Sequence, residues 1–415
     1  MDLELVTIGT ELLLGFTIDS NAAELARALA TVGARVVRRA TVSDEPAEIA
    51  AAVRGALERT GFVITTGGLG PTRDDITKRT VAELFAAPLE LDERYLERLR
   101  ERFAGLGRGA MPAANRTQAE IPRGATVLPN RRGTAPGLWL EDARGAAVLL
   151  PGVPHEMRGL LRDEVLPRLR QRMRRAGDGE RVTRSRTLRT TGVAESALAD
   201  RIGGLEDRLG PVTLAYLPSV AGVDLRLTAW TAAPDEAERL LAEGAEILRP
   251  ALGPRYYGDD ECDLAGLVLE RLAGRGATLA VAESCTGGLL GGRLTAVPGA
   301  SRVFQGGVVA YADRVKLAEL GVPEELLARH GAVIEPVVRA MAEGVARRFG
   351  ASAGMAVTGI AGPSGGTPEK PVGTVWLGAT LDGRTEVALR RFPGDRDDVR
   401  QRSAQAALDL LRSLL

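Results

Sequence analysis

Hydrophobic positions along this chain fall into short runs, each followed by a stretch with helical spacing. Leu3–Ile8 is an apolar run that predicts a strand, and Gly9-Thr10-Glu11-Leu12-Leu13-Leu14-Gly15 follows it as a loop. Asp19-Ser20-Asn21 predicts the cap of a helix whose apolar positions are Leu25, Ala26 and Leu29. Val36–Val42 predicts a second strand, Glu45–Arg59 a helix with Pro46 in its first turn, and Phe62–Thr66 a third strand. Alternation of this kind predicts a parallel, doubly wound sheet. Ala146–Leu150 is a further apolar strand that ends in Pro151-Gly152-Val153-Pro154-His155-Glu156-Met157.

The pattern changes after that. Arg168–Arg186 is arginine-rich, contains Gly177-Asp178-Gly179, and reads as a linker or exposed helix end with a solvated, charged surface. From Thr187 to about Gly253 the order is strand, helix (Glu195–Leu209), strand (Val212–Leu217), strand (Val223–Trp230), helix (Ala233–Leu248), a small α+β unit. Tyr256–Asp263 reads as a polar junction and Leu264–Leu272 as an amphipathic helix. Ala277–Ala282 then predicts a buried strand, with a helix from Gly287 through Leu294. A helix from Pro336 to Phe349 and a last helix opened by Phe392–Arg400 flank a strand, Met355-Ala356-Val357, that runs into a glycine loop.

Composition narrows the function classes. At 415 residues and 45% hydrophobic the chain has core material for two to four domains. Lys+Arg and Asp+Glu both number 54, so no global basic field favours nucleic acid or an anionic membrane, and small-molecule partners are expected. No apolar run reaches the roughly 18 residues of a membrane span, and Met1-Asp2-Leu3-Glu4 does not read as a signal peptide, so a cytoplasmic protein is expected. Cys262 and Cys285 are expected to be free thiols. Of the 54 basic residues only Lys78, Lys316 and Lys370 are lysine, which marks places where a desolvated amine or a compact charge suits better than guanidinium.

Two stretches carry candidate chemistry. In Ala282-Glu283-Ser284-Cys285-Thr286-Gly287-Gly288 the serine sits at a strand-to-helix turn, where the N–H groups of Cys285 and Thr286 at the helix start suit an oxyanion. An N-cap serine beside close-packing glycines is the plainer reading of the same residues. Cys285, at a helix N-terminus, is a rival nucleophile whose side chain points elsewhere. In Gly67-Gly68-Leu69-Gly70-Pro71-Thr72-Arg73-Asp74-Asp75-Ile76-Thr77-Lys78 a glycine loop follows a strand end, so backbone amides approach a phosphate, Asp74 and Asp75 suit a divalent metal ion of unassigned identity, and Lys78 faces the phosphate. Asn115 is a further candidate ligand contact.

These blocks, with Ile8-Gly9-Thr10-Glu11-Leu12, Asp19-Ser20-Asn21 and the Pro151–Met157 loop, resemble the CinA family over essentially the whole chain. The resemblance implies an α/β fold in three domains. Residues 1–170 are similar to a molybdopterin-binding domain with a doubly wound, mostly parallel sheet and imply a metal-dependent ADP-ribose pyrophosphatase. Residues 180–255 resemble a KH-like connecting domain; the Gly-x-x-Gly loop of nucleic-acid-binding KH modules is not evident, so a structural or dimer-forming spacer is expected and no nucleic acid. Residues 259–415 resemble the nicotinamide-nucleotide amidases, whose substrate would be nicotinamide mononucleotide and which need no cofactor. A homodimer is implied by the resemblance alone, as is a role in pyridine-nucleotide salvage. The rival classes are a non-catalytic competence or recombination partner and a molybdopterin-binding domain without hydrolysis.

An amide-cleaving serine needs a base, and the only histidines are His155 and His330. Lys316, five residues after Tyr311, suits a Ser-Lys arrangement in which the amine takes the Ser284 proton, with Tyr311 as relay or as the group that orients the lysine. Thr358 and the amides of Gly359, Ile360, Ala361 and Gly362 are expected to line the nicotinamide pocket with Gly287. Arg396 and Arg400, one turn apart at a helix start, suit the 5′-phosphate as a fork. Lys370 reads equally as a loop salt bridge or a ligand contact.

Overall fold

A computed structural model describes residues 1–105, 110–175, 182–231 and 233–415; Gly177-Asp178-Gly179 lies outside the described residues. The chain divides into two compact units, Met1–Arg184 with Ala229–Leu240 and Ser185–Thr228 with Leu241–Leu415. Among the described residues no helix is long and apolar enough to cross a membrane.

The first unit is built on strands β1 (Asp2–Ile8), β2 (Arg35–Val42), β3 (Phe62–Thr66), β4 (Leu89–Leu91), β5 (Glu120–Pro122), β6 (Thr126–Leu128), β7 (Gly137–Asp142) and β8 (Gly145–Leu150). Six of them form a sheet in the order β2-β1-β3-β8-β7-β6, and β4 pairs with β5 apart from it. The first four positions are mutually parallel, whereas β7 runs antiparallel to β8 and β6 antiparallel to β7. Its helices are α1 (Thr10–Leu13), α2 (Ser20–Ala30), α3 (Pro46–Thr60), α4 (Thr77–Leu84), α5 (Glu93–Gly105), α6 (Pro154–Leu160) and α7 (Leu166–Arg175). Alternate residues of β1 feed opposite cores: Leu3 and Leu5 pack with Leu25 and Leu29 of α2 and Met157 of α6, while Val6 and Ile8 pack with Ile49 and Val53 of α3. That is the doubly wound, mostly parallel sheet that the strand–helix alternation predicts. The segment after β1, expected as a loop, contains the helical turn α1, closed by Leu14 N–H to Thr10 carbonyl at 3.0 Å.

A four-stranded sheet follows, ordered β10-β11-β9-β12, from β9 (Val182–Thr190), β10 (Thr213–Pro218), β11 (Val223–Thr231) and β12 (Tyr256–Asp259), with α8 (Glu195–Glu206) and α9 (Pro234–Leu252). Tyr256–Asp259, expected as a polar junction, is an edge strand antiparallel to β9. Its apolar signal is only Tyr256 and Tyr257, and the partner that makes it a strand lies some seventy residues upstream, far outside any local pattern. Asp259 takes both the Arg249 guanidinium (2.7 Å) and the Tyr256 hydroxyl (2.9 Å), so the polar residue is satisfied at the sheet edge.

The last sheet, β14-β13-β15-β16-β17, comprises β13 (Leu279–Glu283), β14 (Phe304–Val309), β15 (Ala353–Gly359), β16 (Thr374–Leu381) and β17 (Arg384–Arg391). β13 pairs parallel with β14 and β15; β16 and β17 continue antiparallel. Helices α10 (Leu264–Gly274), α11 (Leu289–Thr295) and α15 (Arg396–Leu414) cover one face, and α12 (Asp313–Leu320) and α14 (Glu335–Phe349) the other, with α13 (Glu324–His330) between them in sequence.

Candidate active site

The Ser284 turn is the point where β13 stops being a strand. Ser284 N–H still donates to the Val357 carbonyl at 2.9 Å, one residue past the ladder, and Gly287 N–H folds back to the Ser284 carbonyl at 3.1 Å. Gly287 (φ 59°) and Gly288 (φ 97°) are both left-handed, which is why two glycines stand there. The helix begins at Leu289 rather than at Gly287, because Glu283 has taken its start. The Glu283 carboxylate, buried at the last position of β13, accepts from Gly288 and Leu290 N–H (3.0 Å each) and from Gly291 N–H (2.7 Å). The expected helix-terminus field is therefore answered internally. What remains for a developing oxyanion is the turn itself: the N–H groups of Cys285 and Thr286 donate to no backbone carbonyl among the described residues.

Cys285, expected beside the substrate, turns its side chain into the core that includes Leu290 and Val399, and burial pushes its thiol up to about 12. It can contribute only backbone to a pocket, so of the two candidate nucleophiles of this turn the cysteine is the one withdrawn into the core. Thr286 is likewise fully buried.

Three strand ends meet around the serine: Glu283 is level with Val309 of β14 and Val357 of β15. The first residues of α15 stitch them together. Arg396 donates to the Gly362 carbonyl at 2.7 Å and to the Tyr311 hydroxyl at 3.1 Å; Arg400 donates to the Thr286 carbonyl at 3.0 Å. The expected fork is thus anchored on the glycine loop and on the serine turn, with each guanidinium retaining unused N–H donors. Arg396 projects there because Asp395 and Asp398 form a reciprocal capping box that fixes where the helix starts.

Lys316 is 1% exposed, and its ammonium donates to the Tyr311 carbonyl and the Asp313 carboxylate, both at 3.1 Å. Two of its three N–H bonds are thereby used, and among the described residues none reaches Ser284. The Tyr311 phenol points to Arg396 rather than to Lys316, so Tyr311 orients the lysine through its backbone oxygen and not as a phenolic relay. The Thr358 hydroxyl donates to the Ala332 carbonyl at 3.0 Å in a fully buried position, so it braces the end of β15. Gly359, Ile360, Ala361 and Gly362 follow it; a Cβ on Gly362, at φ 87°, would also press on Val372. Among the described residues Lys370 makes no salt bridge: it donates to the His330 carbonyl at 2.9 Å.

In the first unit the glycine loop also lies at strand ends. Gly67 N–H donates to the Leu150 carbonyl at 3.1 Å, joining β3 to β8, while the N–H groups of Gly68, Leu69 and Gly70 donate to no backbone carbonyl among the described residues. Asn21, whose role the sequence hides behind a capping motif, ties this end together by donating to Thr66 Oγ1 (3.2 Å) and the Gly152 carbonyl (2.7 Å). Its Oδ1, Thr65 Oγ1 and Thr77 Oγ1 are buried without partners among the described residues, and a Cβ on Gly68 would collide with Thr77 Oγ1. Asn115 is instead bonded to Gln118 at 2.9 Å, and the Lys78 ammonium donates to the Thr117 carbonyl. Burial lowers Lys78 to about 8.

Asp74 is exposed, while Asp75 is turned back on Thr72, accepting from its N–H at 2.8 Å and from its hydroxyl. Among the described residues no group of three or more His, Cys, Asp or Glu side chains is placed to hold a metal ion. Two adjacent carboxylates beside free loop amides fit a hard cation completed by substrate phosphates and water, not a cage made by protein alone.

Residues 4–171 match a family described as a probable molybdopterin binding domain, 185–258 the damage-inducible protein CinA KH domain, and 261–415 the CinA C-terminal domain. A CinA-like protein of Gemmatimonas aurantiaca is 56% identical over 413 residues, 99% of this chain and 96% of the relative. The chain belongs to the CinA family. A CinA-like protein of Frankia casuarinae is 45% identical over 422 residues, covering 100% of this chain and 96% of the relative. Among solved structures, a competence-damaged protein (CinA) superfamily protein from Escherichia coli is 36% identical, covers 37% of this chain and 88% of its own, and superposes with a TM-score of 0.36. This CinA chain thus joins a molybdopterin-binding-like domain to the CinA KH and C-terminal domains, in that order.

Proposed function

We propose that this CinA chain is a bifunctional hydrolase of pyridine-nucleotide salvage: its C-terminal domain deamidates nicotinamide mononucleotide and its N-terminal domain hydrolyses ADP-ribose. The observation that carries the first activity is the Ser284 turn, with two amides free of backbone acceptors and two anchored arginines around one nucleophile. With Lys316 as the neutral amine, the position that its Tyr311 and Asp313 bonds leave unused accepts the Ser284 proton as Oγ attacks the carboxamide carbon; the Cys285 and Thr286 N–H groups hold the oxyanion, and the proton returns to the departing ammonia. Water then adds to the acyl-serine and nicotinate mononucleotide leaves. Remaining donors of Arg396 and Arg400 bind the 5′-phosphate.

For the second activity the support is the loop of free amides at Gly68–Gly70 beside Asp74 and Asp75. These carboxylates would hold a divalent ion, which supplies charge neutralisation at the diphosphate. The loop amides bind and orient that diphosphate, and Lys78 adds positive charge below about pH 8.

A second reading, a competence partner, rests on the name of a relative, a putative competence-damage inducible protein, and on Leu13, Leu14, Phe16 and Ile18, which are all exposed on the segment after β1. The same apolar segment suits the homodimer contact.

The test is ammonia release from nicotinamide mononucleotide and AMP release from ADP-ribose, each with and without a chelator and in Ser284→Ala. Chelation should stop AMP release alone, and Ser284→Ala should stop ammonia alone. A chelator that stops both reactions equally would sink the division of labour; unimpaired ammonia release by Ser284→Ala would sink the nucleophile.

A further inference from the structure

The second unit holds a cavity of about 880 Å³ that none of the Ser284 pocket residues lines. It lies between the Thr191–Glu195 loop after β9, the turn joining β10 to β11, the end of β17, and one face of α15. Its charge is one-sided: five arginines, among them Arg255, Arg402 and Arg412, against two carboxylates. One of those carboxylates, Asp409, is already answered by Arg412 at 2.7 Å. The Arg255 guanidinium lies beside Gly192, which at φ 64° and with no Cβ leaves it room; a Cβ there would come within 2.8 Å of it. Arg255 donates its side chain to no protein group among the described residues, and Arg402 Nε is buried without a partner.

A second group in the same cavity is also unpartnered. Gln405 is 3% exposed, and its Nε2 donates to Thr191 Oγ1 at 3.2 Å. The Thr191 hydroxyl gives its own proton to the Ala221 carbonyl at 3.5 Å, so its oxygen can only accept, and that fixes which way the Gln405 amide faces. Gln405 Oε1 is left buried with no donor among the described residues. A buried acceptor left unmade destabilises the fold, as does a buried guanidinium N–H, and here both belong to α15, three residues apart. A single ligand meets both needs if it carries an anion for the arginines and, a few bonds away, a hydroxyl for Gln405 Oε1.

We propose that this cavity is a binding site for a phosphorylated ribose, a nucleoside monophosphate in class, separate from both proposed hydrolytic sites. The phosphate sits on Arg255 and Arg402 and a ribose hydroxyl donates to Gln405 Oε1. The cavity volume lies within the range of about 300–1,000 Å³ usual for small-ligand sites, and its concavity favours such a ligand over an extended nucleic-acid strand.

The probe is AMP, titrated calorimetrically into the full chain, with ammonia release from nicotinamide mononucleotide followed in parallel. In Arg255→Ala/Arg402→Ala one class of AMP sites should weaken by at least about tenfold, while ammonia release stays at the parent rate. Gln405→Leu should weaken AMP at that class and leave inorganic phosphate unchanged, because only the sugar contacts the amide. Should the double alanine variant fail to fold, Arg255→Gln takes its place: it keeps a polar side chain beside Gly192 but removes the guanidinium, and should weaken both AMP and inorganic phosphate at the same class of sites. An AMP isotherm unaltered in these variants overturns the site. So does an oligonucleotide that binds more tightly than AMP and loses affinity in the same variants, since that outcome assigns the arginines to nucleic acid. A fall in ammonia release alongside AMP binding would place the AMP in the Ser284 pocket and also overturn it.

Discussion

Replacing Lys316 by methionine separates chemistry from packing at the serine site. Arginine would be the usual charge-keeping control, but a side chain that is 1% exposed has no room for a guanidinium, and overpacking would itself cost about 1–3 kcal/mol. Methionine keeps the length and apolar volume and removes only the amine. The structural loss should be small: the Tyr311 carbonyl forfeits one donor, while Asp313, whose side chain is 58% exposed, is rehydrated once its ammonium partner is gone. Removing a buried charge offsets part of that, so stability should change by no more than about 2 kcal/mol. Losing a positioned base should lower turnover by about 10²- to 10⁴-fold, roughly 3 to 5 kcal/mol of barrier, with KM little altered. The assay is initial-rate ammonia release at saturating nicotinamide mononucleotide, beside a thermal melt of the same preparation. Ser284→Ala/Lys316→Met should be no slower than either single variant, since residues acting as one unit do not add. Turnover within about threefold of the parent would refute the lysine as base and make it a structural cation.

Glu283→Gln should destabilise the C-terminal domain by about 2–4 kcal/mol, because a carboxylate that accepts three buried N–H groups is replaced by an amide that can accept at one end only. A melting midpoint unchanged within about a degree would refute that count of hydrogen bonds. In the N-terminal domain, burial holds Lys78 near 8, so its ammonium is present below that pH and lost above it. ADP-ribose, whose diphosphate stays anionic, should therefore bind about 10-fold or more weakly as pH rises from about 7 to 9.5, and Lys78→Arg should flatten the curve. Equal pH dependence in parent and variant would remove Lys78 from the site.

The alternating strands and helices were readable because each buried strand is a short apolar run and each helix repeats near 3.6; β1, β3, β8, β13 and β15 all come from that signal. The β16–β17 hairpin did not, although Asp382-Gly383 between the two strands, with φ 49° and 84°, is a hairpin turn signal. β17 reads Arg-Thr-Glu-Val-Ala-Leu-Arg-Arg, too polar to declare itself, and is a strand because β16 offers a full antiparallel ladder. At the site, the Ser284 turn and the scarce Lys316 were legible as local features. Glu283 was not: a carboxylate closing an apolar strand reads as a boundary, and only the folded turn brings three N–H groups to it. Asn21 was hidden in the same way, since its partners Thr66 and Gly152 are 45 and 131 residues away.

Both candidate sites occupy the same place in their sheets. In the order β2-β1-β3-β8 the chain leaves β1 toward one edge and returns to place β3 on its other side; in β14-β13-β15 it does the same around β13. The helices that follow β1 and β3 go to opposite faces, as do α11 after β13 and α12 after β14, so a crevice opens outside the carboxyl ends of β1 and β3, and again where β13 ends between β14 and β15. Asn21 and the Gly67–Gly70 loop stand at the first, Ser284 and Thr358 at the second. Topology thus dictates where backbone amides are left over, and the residues set what is done with them. Carboxylates and glycines at the first crevice suit a diphosphate; a serine on a turn whose amides have no backbone acceptor suits an acyl carbon at the second. The two proposed chemistries differ because the side chains at equivalent strand ends differ, although the same winding built both crevices.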